Sequence, residues 1–275
     1  MGEARANSLA GRRIVITRAA AQCQALTQEL TGRGAIPVVV PLVAFSEPED
    51  FAPVDAAIAE LQRFDWMILT SAQAVRALVK RGEKLKLRLI GPGSKLRIAC
   101  VGPISAEAAR QAGLAVEHVA ETHNGVALAE ELGSRLAGAK VLLPRSDRAN
   151  PDLPVALERL GAAVTEVIAY RTLRPAEVDR SHLGEIADGE NDAVLFFSPS
   201  AVEHFAELFG GQQLPALQDK LAITAVGPVT AKALRKAGVS RAVVAADTTA
   251  AAVIAALEEH FGGTAKQVQA GVKRV

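Results

Sequence analysis

Short runs of consecutive apolar residues alternate along this chain with stretches in which apolar positions recur every three or four residues. The runs Ile14-Val15-Ile16, Trp66 to Leu69 and Arg97 to Val101 read as strands buried on both faces. Further strands are expected near Val116 to Val119, Val141 to Leu143, Ala163 to Tyr170, Val194 to Phe197, Ala222 to Val226 and Ala242 to Ala245. Between them, Cys23, Leu26 and Leu30 form one helical stripe that ends at Gly32 and Gly34. Pro53 opens a second helix, with Val54, Ile58 and Leu61 inward, and Ser71 is placed to cap a third that carries Val75, Leu78 and Val79. Such alternation predicts an α/β fold, with parallel sheets flanked by helices and right-handed crossovers. The long run from Ala35 to Phe45 contains Pro37 and Pro41, which cannot both serve a central ladder, so part of it must leave the sheet. It and its counterpart from Ala163 to Tyr170 are the expected connections between domains.

The pattern occurs twice. DWMILTSAQAV from Asp65 returns as DAVLFFSPSAV from Asp192, and Arg18 and Ser71 match Arg145 and Ser198, each 127 positions on. Val101-Gly102-Pro103 and Gly113 return 125 positions later as Val226-Gly227-Pro228 and Gly238. That period is far longer than the roughly 20–50 residues of solenoids and propellers. It implies two similar domains with a ligand between them.

Composition narrows the picture only slightly. Ala, Val, Leu and Ile must fill the interior, because one Trp, one Tyr and eight Phe are the whole aromatic supply. Lys and Arg (31) balance Asp and Glu (30), so the global field favours neither nucleic acid nor membrane. Cys23 and Cys100 lie in apolar contexts and read as inert packing residues. No run approaches the roughly 18 apolar residues of a membrane span, and the first residues lack the apolar middle of a signal peptide. The expected protein is cytoplasmic and monomeric, with flexible termini at 1–10 and 263–275.

The chemistry should gather where strands hand over to helices, since exposed helix N–H groups there can meet an anion. Hydroxyl residues stand at several such junctions, among them Thr17, Ser71, Ser105, Ser146, Ser198, Ser200 and Thr230. Each alone is an ordinary helix cap; the matched set in both copies suits a ligand with several carboxylates or phosphates. The chain has no G-x-G-x-x-G after its first strand, no Walker loop, no G-x-S-x-G elbow and no metal-type histidine spacing. The pattern therefore points to binding, or to a reaction whose substrate needs mainly to be folded and held.

Taken in order, I-T-R at 16–18, D-W-M-I-L-T-S-A at 65–72, V-G-P at 101–103, P-R at 144–145, A-Y-R-T at 169–172, F-F-S-P-S-A-V at 196–202 and A-V-G-P-V-T-A-K-A-L at 225–234 resemble the uroporphyrinogen-III synthase family. The resemblance covers about Gly11 to Glu259. It implies two α/β domains joined by a two-stranded connector, one from 11–40 and 173–262 and the other from 46–168. It also implies closure of the linear tetrapyrrole hydroxymethylbilane, which carries eight carboxylates, with inversion of the last ring, loss of water through a spiro intermediate, and no cofactor. By the same resemblance Tyr170 is the expected proton donor. Thr17, Arg18, Ser71, Ser105, Arg145, Ser198, Ser200 and Thr230 are the expected substrate contacts. The chain departs from the family where Val229 precedes Thr230 and where Pro103-Ile104 replaces a more polar turn. Two other classes fit the residues alone: a non-catalytic two-domain receptor or sensor for a polyanionic small molecule, and a two-domain glycosyltransferase, which usually runs well beyond this length.

Overall fold

The structure, a computed structural model of the chain, describes residues 8–89, 94–210 and 213–272. Its strands in chain order are β1 (Arg13–Ile16), β2 (Ile36–Val39), β3 (Ala44–Ser46), β4 (Trp66–Leu69), β5 (Arg97–Cys100), β6 (Val116–Val119), β7 (Lys140–Ser146), β8 (Ala163–Leu173), β9 (Ala193–Phe196), β10 (Ala222–Val226) and β11 (Val243–Ala245). They form two sheets, ordered β11-β10-β9-β1-β2 and β3-β8-β7-β4-β5-β6. The pairings among β1, β2 and β9–β11, and among β4–β8, are parallel. The chain divides into two compact units: one holds the described residues up to Ala44 and those from Leu173 onward, the other Phe45–Thr172.

The duplication reappears in the registers. Arg13 pairs with Ile36 in one sheet, and Lys140 with Ala163 in the other. Ile14 pairs with Ala193, and Val141 with Trp66. These partners are all 127 residues apart between the sheets. Each sheet therefore takes one part from each sequence copy: β1 and β2 of the first join β9–β11 of the second, while β7 and β8 of the second join β4–β6 of the first. The same aspartate pins both joints. The Asp192 carboxylate accepts from the Arg13 N–H at 2.9 Å, and Asp65 accepts from the Lys140 N–H at 2.8 Å.

In the second unit β4 is fully buried and sends alternate side chains to opposite faces, as strand geometry requires. Met67 and Leu69 pack with Val54, Val75, Leu78 and Ala106. Trp66 and Ile68 pack on the other side with Leu128, Leu132, Leu153 and Leu157. In the first unit Ile14, Ile16 and Leu195 pack with Leu26, Leu30, Val253 and Leu257. Burial pushes the Cys100 thiol up to about 12 and raises that of Cys23, so both are neutral packing residues.

Pro37 is accommodated because β2 is an edge strand, and the chain beyond Pro41 enters β3 of the other sheet. The termini differ from expectation. Leu9, placed in a flexible segment by the sequence reading, is fully buried in the core around Ile14 and Leu257. The last helix runs Ala250–Val272, well past Gly263. After the two glycines the stretch is rich in Ala, Lys, Gln and Val and has no proline, so nothing stops propagation of a helix already begun. Residues 1–7 and 273–275 of the expected flexible ends lie outside the described residues.

One repeat match does not extend to conformation. Gly227 has φ 87° and ψ 162°, whereas its counterpart Gly102 is extended at φ −160° and ψ 171°. The first geometry is open only to glycine, so Gly227→Ala should destabilise the protein by about 1–3 kcal/mol. At Gly102 the nearest atoms to a new Cβ would be His123 carbons at 3.7–3.9 Å, an ordinary contact. Gly102→Ala should therefore fall within about 0.5 kcal/mol of the parent, as surface changes usually do. Paired urea denaturation curves check both values.

Candidate active site

Ser71 follows β4 and caps the helix Ala72–Leu85, its extended backbone letting the hydroxyl oxygen accept from the Ala74 N–H at 3.1 Å. Ser198 does the same after β9 for the helix Pro199–Phe209, accepting from Ala201 N–H at 3.2 Å. The two caps have nearly equal dihedrals, φ −154° and ψ 151° against φ −158° and ψ 157°. Among the described residues only the Ser71 hydroxyl has a further partner, the Tyr170 phenol at 3.1 Å.

How Tyr170 reaches Ser71 is a matter of register. β8 pairs with β7 regularly until Arg145 opposite Ile168; the next pair is Ser146 opposite Tyr170. One extra residue, Ala169, is accommodated as a bulge, and bulges re-aim side chains. Without it Ala169 and Tyr170 would point to opposite faces. With it both are buried in one small cluster with Ala74, against Phe45 and Ala77. The Phe45 and Tyr170 rings meet edge to face, with centroids 5.6 Å apart.

Burial raises the Tyr170 phenol above its ordinary value near 10; Asp147 adds to this, while the Ser71 hydrogen bond and Arg145 pull the other way. The phenol is neutral at physiological pH and carries a proton it can give. Because Ser71 Oγ already accepts from the Ala74 N–H, its own proton is available to Tyr170 Oη. In that arrangement the phenolic proton is directed elsewhere.

Tyr170 lines a hollow of about 330 Å³ within its own unit, together with Phe45, Phe51, Gln73, Ala77 and Ala169. Its lining also includes Arg76, Lys80, Arg81 and Lys84, all on the helix Ala72–Leu85, and Glu47. Arg81 forms a two-pronged ion pair with Asp55 and stacks 3.9 Å above the Phe51 ring. Lys80 donates to Glu47 at 2.9 Å. These cations hold the Glu47 carboxyl below its ordinary range, Lys80 most of all, and Arg81 does the same for Asp55.

The other expected contacts divide by position. Ser200 lies half-buried in the first turn behind Ser198. Arg18 donates to the Gln22 side chain at 2.8 Å and lies over the Phe197 ring. Four others are inside the protein, which corrects the expectation that they stand open to a ligand. Thr17 is fully buried, and its hydroxyl donates to the Leu195 carbonyl at 2.7 Å, bracing β1 on β9. Arg145 is 5% exposed, with its guanidinium bound to Glu166 and to the Asn150 carbonyl. Ser105 and Thr230 occupy the buried faces of the helices Pro103–Gln111 and Pro228–Lys236, in line with Ala109 and Leu234 four residues on. Sequence reasoning placed them at strand ends; helical periodicity turns them inward. It missed the basic residues at 76, 80 and 84, although their four-residue spacing behind the Ser71 cap was a readable signal.

Residues 24–255 match the family model described as uroporphyrinogen-III synthase HemD. The chain belongs to the uroporphyrinogen-III synthase family. Members of this family are enzymes of tetrapyrrole biosynthesis. The uroporphyrinogen-III synthase of Synechococcus elongatus is 29% identical over 227 residues, covering 81% of this chain and 85% of that protein. The crystal structure of the wild-type uroporphyrinogen III synthase of Thermus thermophilus is 26% identical, with a TM-score of 0.51 over 94% of this chain and 100% of that one. A mutant form of the Thermus thermophilus enzyme, 24% identical, shares the fold at a TM-score of 0.63 over 96% of this chain. The α/β sheets flanked by helices are thus those of the family, and the two rival classes lose their ground. Among the described residues no helix is long and apolar enough to cross a membrane.

Proposed function

We propose that this member of the family converts hydroxymethylbilane to uroporphyrinogen III, with Tyr170 as proton donor to the departing hydroxyl. The observation that carries the role of Tyr170 is its hydroxyl, 3.1 Å from a serine cap whose oxygen already accepts a backbone N–H. The helix N-terminus polarises Ser71, and Ser71 donates to the phenol. Tyr170 then gives its own proton as the C–O bond of the terminal hydroxymethyl group breaks, and water leaves. The resulting azafulvene cation is attacked by the substituted carbon of the last ring, giving a spiro intermediate. Fragmentation and reclosure follow, and the proton released from carbon on reclosure restores the phenol. General acid assistance of this kind contributes roughly 10²–10⁴-fold.

The remaining demand is conformational. The open chain closes by itself without inverting a ring, so the protein must hold its carboxylates in a geometry that favours the inverted product. The N–H groups behind the Ser71 cap are the proposed holding points of the second unit, and Ser198, Ser200 and the N–H groups behind their cap those of the first, each charge-assisted bond contributing about 1.5–3 kcal/mol. On this reading the protein works as a cytoplasmic monomer without a cofactor.

The test is direct. Freshly prepared hydroxymethylbilane incubated with the protein should give mainly the type III isomer, read by chromatographic separation after oxidation to porphyrins. A mixture dominated by type I, as in the protein-free control, would refute the assignment.

A further inference from the structure

We infer that the basic row Arg76, Lys80 and Lys84 on the helix Ala72–Leu85 is a carboxylate-reading rim that selects the ring admitted to the Tyr170 hollow, with Arg76 as its principal contact. The inference rests on the proposed role of Tyr170, which lines this hollow, and it adds residues and a specificity to that role.

The three positions are four residues apart, so they form one stripe along the helix with a step of about 6 Å. The apolar part of the hollow's lining is Phe45, Phe51, Ala77, Ala169 and Tyr170. At about 330 Å³ the hollow stands at the small end of the ~300–1,000 Å³ range of ligand pockets. That suits one pyrrole ring rather than a whole tetrapyrrole. An apolar lining with a cationic edge takes a flat ring whose polar arms are anionic, and each ring of hydroxymethylbilane carries two carboxylate arms.

The charges are not equally available. Arg81 is fixed against Asp55 and Phe51 and acts as wall. Lys80 is paired with Glu47, but both side chains are more than half exposed, and such surface pairs are weak enough to yield to a competing carboxylate. Lys84 approaches the Phe51 ring at 5.8 Å. Among the described residues Arg76 has no carboxylate within ion-pair distance, and it lies exposed on the same lining. Four cations face two carboxylates, Glu47 and Asp55, so the edge retains a positive surplus. Arginine also presents two parallel N–H groups, a geometry that grips a carboxylate in bidentate fashion.

The experiment compares the full-length protein with Arg76→Ala and Arg76→Lys, using hydroxymethylbilane as substrate. In Arg76→Ala the KM should rise about five- to tenfold, with a smaller change in kcat, as expected for loss of one charge-assisted contact. Arg76→Lys should recover part of that rise, since the charge is kept and only the fork is lost. The KM of the parent should climb with added salt more steeply than that of Arg76→Ala. A KM for Arg76→Ala within twofold of the parent, with the same salt dependence, overturns the rim while leaving the synthase reading intact. A parent that yields no type III excess overturns that reading first, and the rim with it. Coincident thermal unfolding of the three proteins separates loss of binding from loss of fold.

Discussion

Tyr170→Phe should lower kcat about 100-fold while leaving thermal unfolding nearly unchanged, within the roughly 10²–10⁴-fold range that general acids supply. The ring remains to pack against Phe45, and only the hydroxyl that meets Ser71 is lost. Steady-state kinetics with hydroxymethylbilane check it, and turnover within threefold of the parent would remove Tyr170 from the reaction. The pH dependence gives a second reading. Tyr170 is the sole tyrosine, so the ultraviolet tyrosinate titration belongs to one group. In the unfolded chain it ionises near 10, and burial raises it in the folded protein. The folded state therefore keeps the neutral phenol's contribution below about pH 10 and loses it as pH climbs through the folded value. Ser71→Ala removes a hydrogen bond that lowers this pKa, so the titration should move further up.

Asp192→Ala should destabilise the protein by about 2–3 kcal/mol, because hydrogen bonds to a charged group contribute about 1.5–3 kcal/mol each and are not additive. Its carboxylate accepts from the Arg13 N–H and from the Arg12 guanidinium, and so fixes the start of β1 beside β9. Asp65→Ala should cost less, about 1–2 kcal/mol, since among the described residues its carboxylate accepts only from the Lys140 N–H. Urea denaturation measures both, and equal effects would show that the Arg12 contact contributes nothing.

The alternation of apolar runs with helical stripes was enough to read the fold class, because parallel strands buried on both faces leave no polar alternation to confuse them. The Ser71 and Ser198 caps were legible for the same local reason, a small hydroxyl residue between an apolar run and a helical stripe. What failed to show was anything set by a one-residue slip. The bulge at Ala169 decides which face Tyr170 joins, and no residue type announces it. Thr230 and Ser105 sit at strand ends in sequence, but their place within the first helical turn faces them to the core. Gly102 and Gly227 are matched in sequence and differ in backbone geometry, since glycine permits both and specifies neither. The helix beyond Gly263 escaped because two adjacent glycines look like a stop, while the residues after them allow the helix to resume.

The crosswise origin of the two sheets carries a consequence for ancestry. A single copy of the repeat holds both partners of the joint: Arg13 and Asp65 in the first, Lys140 and Asp192 in the second. A free-standing half-length ancestor could thus have fastened its leading strand pair to its own trailing three, or traded pairs with a twin through the same contacts. In the present chain both copies share one polypeptide, so a cut between them would leave two fragments that must either refold onto themselves or find each other again.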